Sequence, residues 1–135
     1  MPLLFDSDYV KLSERNISYE ESETNRFFIF THFVLPTGVY NVTECDVLVV
    51  IPQNYNQAGN DMFWTCPYLQ RQNGVPIPAI NTPGAGDNRT CNGREYCRWS
   101  RHWNPGNPGV WRPGYDDIIS IYRRIEWALN KPDTR

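Results

Sequence analysis

Proline and glycine are concentrated in one stretch of this chain, and that concentration limits what the chain can fold into. Seven of the eleven prolines and seven of the nine glycines lie within residues 67–114. Both residue types interrupt helices and strands, so long regular elements are disfavoured there. Five aromatic residues of the same stretch can hold it against the rest of the protein: Tyr68, Tyr96, Trp99, Trp103 and Trp111. We therefore expect a long ordered loop with Trp99 and Trp111 largely buried, and such loops are usually functional.

The sequence on either side of this loop predicts regular structure. Asp6-Ser7-Asp8 can cap a short helix that runs through Arg15. Residues 17–65 are rich in β-branched and aromatic side chains and predict about four strands. Apolar residues then recur at helical spacing over residues 117–130, and Pro132 ends that helix. The order predicts an α+β fold, with helices packed on an antiparallel four-stranded sheet.

Length and composition restrict the class of protein further. A chain of 135 residues is long enough for one domain, which we assign to residues 1–135, and 14% aromatic residues disfavour an all-helical bundle. The net charge of −2 gives no overall footprint for nucleic acid, although residues 61–135 are the more basic part. No apolar run approaches the roughly 18 residues that span a bilayer. We expect a cytoplasmic protein with no nucleic-acid or membrane partner.

Four cysteines and three formal glycosylation sequons raise the alternative of a secreted, disulfide-linked domain. The cysteines are Cys45, Cys66, Cys91 and Cys97. Their density is below that of disulfide scaffolds, and the first residues lack the basic and small-residue features of a signal peptide. We therefore expect four free thiols.

The densest group of reactive side chains lies within residues 89–103. It combines two thiols, one imidazole and four guanidinium groups. A thiol acts as a nucleophile only as a thiolate, and nearby cations lower its pKa. Arg94, Arg98, Arg101 and His102 can provide that charge for Cys97. The pattern favours Cys97 as a catalytic nucleophile over the alternative of a small buried apolar residue.

Two other chemistries remain open for the same segment. Cys91, Cys97 and His102 could hold zinc with Cys66 or His32 as fourth ligand, although their spacing lacks the paired short intervals of structural zinc sites. Arginines interleaved with tryptophans could also bind single-stranded nucleic acid through phosphate pairing and stacking. Neither pattern is as specific as the thiol cluster, so we predict neither a bound metal nor a nucleic-acid partner.

Several motifs resemble one known family. They are Pro36-Thr-Gly-Val-Tyr40, Cys45-Asp-Val-Leu-Val-Val-Ile-Pro52-Gln-Asn-Tyr55, Asp61-Met-Phe-Trp64, Trp99-Ser-Arg-His102 and Trp111-Arg-Pro-Gly114. Together they resemble the bacterial ubiquitin-conjugating-enzyme-like proteins called prokaryotic family E, over essentially the whole chain. The stretch Gly93-Arg-Glu-Tyr-Cys97 followed by His102 is also similar to the active site of the ubiquitin-fold-modifier conjugating enzyme. The resemblance implies a UBC-like fold.

The resemblance also implies roles for individual residues. Cys97 matches the cysteine that forms the thioester, and His102 is expected to assist it; Cys91 is the rival nucleophile. Ubiquitin-conjugating enzymes carry a His-Pro-Asn tripeptide upstream of this cysteine, with its Asn about eight residues before it. Here Asn88 and Arg89 occupy that neighbourhood and can support an oxyanion. Arg98 and Arg101 can add electrostatic support.

The function that the resemblance implies is that of a carrier. A ThiF-type activating enzyme passes a ubiquitin-like modifier protein to Cys97, and an amine of a target protein then attacks the thioester. This chemistry needs no cofactor in the carrier. An operon-linked JAB-type metalloprotease is a further expected partner. The alternative is a catalytically inactive binding module that recruits the modifier or the activating enzyme non-covalently.

Overall fold

The computed structural model describes residues 2–134. Two helices and six strands follow one another in the order α1 (Asp6–Glu14), β1 (Tyr19–Ser22), β2 (Phe27–Val34), β3 (Glu44–Val50), β4 (Phe63–Cys66), β5 (Arg89–Cys91), β6 (Arg94–Trp99) and α2 (Ile118–Asn130). The α+β class is confirmed. Within residues 2–134, neither helix is long and apolar enough to cross a membrane.

The strands form one antiparallel sheet with the order β1-β2-β3-β4-β6-β5. The prediction of four strands was therefore wrong by two. Both additional strands lie inside the stretch 67–114, where we expected only a loop. Strand β6 pairs with β4, with Thr65 opposite Cys97, and so extends the sheet formed by residues 19–66.

A tight turn explains these two strands. Cys91 pairs with Arg94, so only Asn92 and Gly93 connect β5 to β6. Both connecting residues have positive φ, 52° and 75°. Asn-Gly is the pair that best tolerates this conformation in a two-residue hairpin. The hairpin follows from this local turn chemistry, which the number of prolines and glycines alone does not reveal.

Both helices pack on one face of the sheet, where the main core forms. Strands β2, β3, β4 and β6 contribute side chains to it, including Phe28, Phe30, Val47, Val49, Phe63 and Trp99. The helices add an apolar face of their own, including Leu12, Ile118, Ile121, Ile125 and Leu129. A smaller cluster occupies the opposite face and consists of Phe27, Ile29, Leu48, Trp64, Cys91 and Tyr96. The expected arrangement of helices on one side of the sheet is confirmed.

A buried carboxylate joins the two helices. Asp8 is 2% exposed, and its Oδ1 accepts hydrogen bonds from the Ile118 amide at 3.2 Å and the Tyr55 hydroxyl at 3.0 Å. Burial and the Asp8 charge raise the pKa of Tyr55. At the start of α2, Asp117 caps the free amides of Ile119 and Ser120. These contacts fix α2 at the end of the irregular segment.

We predicted that Trp99 and Trp111 are both largely buried, and this is confirmed for Trp99 alone. Trp99 is 1% exposed and donates from Nε1 to Thr65 Oγ1 at 3.1 Å. Trp111 is only half-buried, although its indole donates to the Asn56 carbonyl at 2.9 Å. Its ring packs so closely on Gly59 that a Cβ there would come within 2.2 Å of it. A glycine is therefore required at residue 59.

Candidate functional site

Cys97 lies in β6, the second strand of the Asn92-Gly93 hairpin. It is 2% exposed. Alternate residues of a strand share a face, so its side chain lies on the same side as those of Glu95 and Trp99. The thiol is thus held on rigid sheet structure instead of a mobile loop, and its access to another protein depends on what lies against it.

The environment of Cys97 disfavours its thiolate. Burial raises the thiol pKa to about 11, and the Glu95 carboxylate and Cys66 act in the same direction. We expected neighbouring arginines to lower this pKa, and that prediction was wrong. Arg94 is bound to Asp46 at 2.6 Å and Arg98 to Asp87 at 2.7 Å. Both arginines therefore form ion pairs with carboxylates instead of stabilising the thiolate.

Asn88 lies directly against the thiol. Its Nδ2 is 3.7 Å from Cys97 Sγ, nine residues along the chain. The same amide nitrogen donates to the Thr82 carbonyl at 2.9 Å, and Asn88 Oδ1 accepts from the Arg98 amide at 3.2 Å. The amide is therefore fixed from both ends, with its nitrogen beside the sulfur. Asn88 is one of the residues predicted to support Cys97, and its side chain lies beside the sulfur.

Glu95 ties the segment that carries Asn88 to the sheet. Its Oε2 accepts from the Gly84 amide at 2.8 Å and from Asn88 Nδ2 at 3.1 Å. These hydrogen bonds hold the pKa of Glu95 below its usual value. At the other end, the Asn81 amide donates to the Arg98 carbonyl at 2.8 Å. We call residues 81–88 the cover segment, because it is pinned to β6 on both sides of Cys97.

Glu95 and the cover segment were not predicted from the sequence. The signal that could have found Glu95 is the Asn92-Gly93 turn. Recognising it assigns residues 94–99 to a strand, and strand alternation then puts Glu95 beside Cys97 on the same face. The cover segment has no comparable local signal, because tertiary contacts hold it in place.

Among the described residues, no hydrogen bond joins His102 to Cys97. Its Nδ1 lies 2.6 Å from Asp61 Oδ1, and its Nε2 lies 3.3 Å from Ser100 Oγ. Both ring nitrogens therefore have other partners. Strands rise about 3.3 Å per residue, so Trp99 is already roughly 7 Å from Cys97 along β6, and His102 follows it. The role of His102 stays a prediction and requires its ring to be freed.

The other predicted site residues lie elsewhere. The Arg89 guanidinium stacks on the Trp64 ring at 4.6 Å, on the face of the smaller cluster. Arg101 is 2% exposed and stacks on Trp99 at 4.9 Å. Cys91 is buried in the smaller cluster. Within residues 2–134, no side-chain hydrogen bond is formed by the Cys91 thiol, whereas Asn88 lies beside that of Cys97.

The four cysteines are free thiols, as predicted. Within the described part of the chain, no group of three or more His, Cys, Asp and Glu side chains could hold a metal ion. His32, one of the two candidates for a fourth zinc ligand, binds Glu44 at 3.0 Å instead. The zinc alternative therefore has no ligand set in residues 2–134.

Comparison with known proteins gives a family match. The model of the family described as prokaryotic E2 family E matches residues 4–132. No curated protein and no solved structure matches the chain. The family match covers nearly all of the sequence, including both helices, the sheet, Asn88 and Cys97. The chain therefore belongs to prokaryotic E2 family E, a family of ubiquitin-conjugating-type proteins.

Proposed function

We propose that this protein carries a ubiquitin-like modifier as a thioester on Cys97, in a UBC-like fold. The observation that supports this most directly is the Asn88 amide, 3.7 Å from the Cys97 sulfur. Asn88 occupies the neighbourhood of the asparagine of the His-Pro-Asn tripeptide in the enzymes that this chain resembles. It is held there by Thr82, Glu95 and the Arg98 backbone.

The proposed loading step is a thioester exchange. Cys97 Sγ attacks the carbonyl carbon of the thioester on the activating enzyme, and the thiol proton leaves with the departing sulfur of that enzyme. A negative oxygen forms transiently on the attacked carbonyl. The Asn88 amide is the proposed donor to this oxygen once one of its N–H groups is released from Thr82 or Glu95. Losing one such donor typically reduces the rate roughly 10²- to 10³-fold.

While Cys97 is buried, its raised pKa keeps the thiol protonated and unreactive, so reaction requires its surroundings to open. Cys97 is 2% exposed, which is too little for the thioester on the activating enzyme to reach its sulfur. We therefore expect the cover segment to move when that enzyme docks.

In the discharge step, an amine of a target protein attacks the Cys97 thioester and forms an amide, and the Cys97 thiol is restored. His102 is the proposed acceptor of the proton that the amine loses, a role that typically contributes roughly 10²- to 10⁴-fold. Its ring must first leave Asp61 or Ser100. The proposed partners are a ThiF-type activating enzyme, a ubiquitin-like modifier, the target protein and an operon-linked JAB-type metalloprotease.

One observation favours a second function. The Cys97 thiol is buried and its pKa is raised, as in a cysteine that only fills space. The alternative is therefore a non-catalytic module of the same family that binds the modifier or the activating enzyme without a covalent bond. The two functions differ in whether a thioester forms.

Mass spectrometry after incubation with the ThiF-type enzyme, the modifier and ATP tests this difference. We expect a reducible adduct on the wild-type protein and on Cys91→Ser. Cys97→Ser should form either no adduct or an oxyester that survives thiol reductants. Asn88→Ala should load roughly 10²- to 10³-fold more slowly while its circular dichroism is unchanged.

Two results would contradict the proposed thioester on Cys97. Binding of the modifier or the activating enzyme without any adduct on the wild-type protein would establish the non-covalent module instead. A thioester that persists in Cys97→Ser and disappears in Cys91→Ser would assign the nucleophile to Cys91. In His102→Ala, unchanged loading with slower discharge to a free amine would support the proposed proton transfer, and unchanged discharge would remove it.

A further inference from the structure

A concave site lies away from Cys97, between α2 and the segment that precedes it. This cleft has a volume of about 690 Å³, within the range of small-ligand sites. Its lining includes Trp103, Val110, Arg112, Arg123, Arg124 and Trp127. We call it the arginine cleft. It shares no lining residue with the Cys97 site, since Asn88, Glu95 and Cys97 are all outside it.

Arg124 is the most informative residue of the arginine cleft. It is 3% exposed, and two of its three guanidinium nitrogens, Nε and Nη2, have no hydrogen-bond partner among the described residues. The third nitrogen, Nη1, is 3.5 Å from the Asn107 carbonyl, at the limit of a hydrogen bond. The guanidinium stacks on the Trp103 ring at 4.8 Å. Burying a cation without a counter-charge is costly, and no anion is bonded to this guanidinium among the described residues.

The charges around Arg124 do not supply that anion directly. The Asp116 carboxylate lines the cleft, but it already binds the guanidinium and amide of Arg112 and the Ser120 hydroxyl. Burial lowers the pKa of Arg124 to about 10, and Asp61 and Arg101 act on it in opposite directions. Arg124 is therefore still charged at neutral pH. No ion pair with a carboxylate is formed by Arg124 in the described part of the chain.

Two further cations stand at the cleft. Arg112 and Arg123 are both exposed and both line it. Guanidinium groups bind carboxylates and phosphates through two parallel hydrogen bonds, and such charge-assisted bonds are about twice as strong as neutral ones. The tryptophans Trp103 and Trp127 add apolar surface beside these donors.

We propose that the arginine cleft binds a small organic oxyanion, a phosphate ester or a carboxylate whose apolar group packs on Trp103 and Trp127. The oxyanion supplies the counter-charge that Arg124 lacks. Arg112 and Arg123 attract it and hold its outer oxygens. This binding is independent of the Cys97 thioester, so either proposal can fail without the other.

Nuclear magnetic resonance of the ¹⁵N-labelled full chain tests the proposal. Phenyl phosphate, benzoate and neutral benzyl alcohol are titrated separately to about 10 mM, a concentration that saturates a millimolar site. We expect one or both anions to shift the Arg124 Nε–H and Trp103 indole resonances saturably, and benzyl alcohol to leave the Arg124 resonance unchanged. Tighter binding of phenyl phosphate assigns the ligand to the phosphate esters, and tighter binding of benzoate assigns it to the carboxylates.

Exposed residues provide variants that should fold. Arg123→Gln should lower the affinity for the anion about tenfold, as expected for the loss of one charge-assisted contact. Lys131→Gln removes an equal charge from an exposed residue that does not line the cleft, and should change binding little. Arg124→Gln should abolish binding. The proposal is overturned if neither anion shifts these resonances, or if Arg123→Gln and Lys131→Gln weaken binding equally, since general attraction of anions would explain that result.

Discussion

The pKa of Cys97 gives the sharpest test of its environment. Its value of about 11, against an ordinary 9.0, lowers the thiolate fraction near neutral pH about hundredfold. The more basic thiolate is intrinsically more nucleophilic by roughly six- to tenfold, given a Brønsted slope near 0.4–0.5. Alkylation of Cys97 at neutral pH should therefore be roughly ten- to fifteenfold slower than that of an ordinary thiol, before any steric protection.

The sign of the pH dependence follows from the same shift. Burial favours the protonated thiol, so reactivity should keep rising with pH beyond 9. Between pH 8 and pH 10 the rate should increase about 90-fold, whereas a thiol of pKa 9 gains only about 10-fold. The assay is iodoacetamide alkylation of the folded protein, followed at the peptide level by mass spectrometry, with N-acetylcysteine as reference. Circular dichroism at each pH confirms that the chain is folded.

A variant separates charge from burial. Glu95→Gln removes the negative charge beside the thiol and weakens the hold on the cover segment, so Cys97 should be alkylated several-fold faster. Cys45, whose pKa burial raises to about 12, is an internal control that this change should not affect. A Cys97 rate that levels off below pH 9 in the wild-type protein would refute the reasoning, because it would mean that the folded chain does not penalise the thiolate.

Three further results are expected. Tyr55→Phe removes a hydroxyl that donates to a buried carboxylate at 3.0 Å, so urea unfolding should show a loss of about 1.5–3 kcal/mol; an unchanged midpoint would contradict this contact. Gly59→Ala should cost about 1–3 kcal/mol, because its Cβ would meet an indole ring within 2.2 Å. Gly86→Ala, which has open space, should be near neutral and serves as its control. The amide resonance of Gly84 should titrate with Glu95 at a midpoint below the ordinary 4.5, since that amide bonds the ionised carboxylate; a midpoint at or above 4.5 would argue against the bond.

Much of the fold was readable from local sequence. The α2 helix was predicted over residues 117–130 and is observed at Ile118–Asn130, with Asp117 as its cap. Its periodic apolar face and Pro132 act within a few residues of one another, so neighbouring side chains are sufficient to define it. The strand-rich character of residues 17–65 was readable for the same reason. The β5–β6 hairpin was also encoded locally, in Asn92-Gly93, but the many prolines and glycines around it obscured that signal.

The sequence by itself determined the α+β class, the helices, the family and the segment that contains Cys97. Only the tertiary structure decided what surrounds that thiol. Arg94 binds Asp46, a carboxylate 48 residues away, while Cys97 is buried and Asn88 lies beside its sulfur. Helix periodicity and turn chemistry depend on adjacent residues, whereas burial and electrostatics sum over everything near in space. For that reason four arginines close together in the sequence predicted a lowered pKa for Cys97, whereas burial in the folded protein raises it.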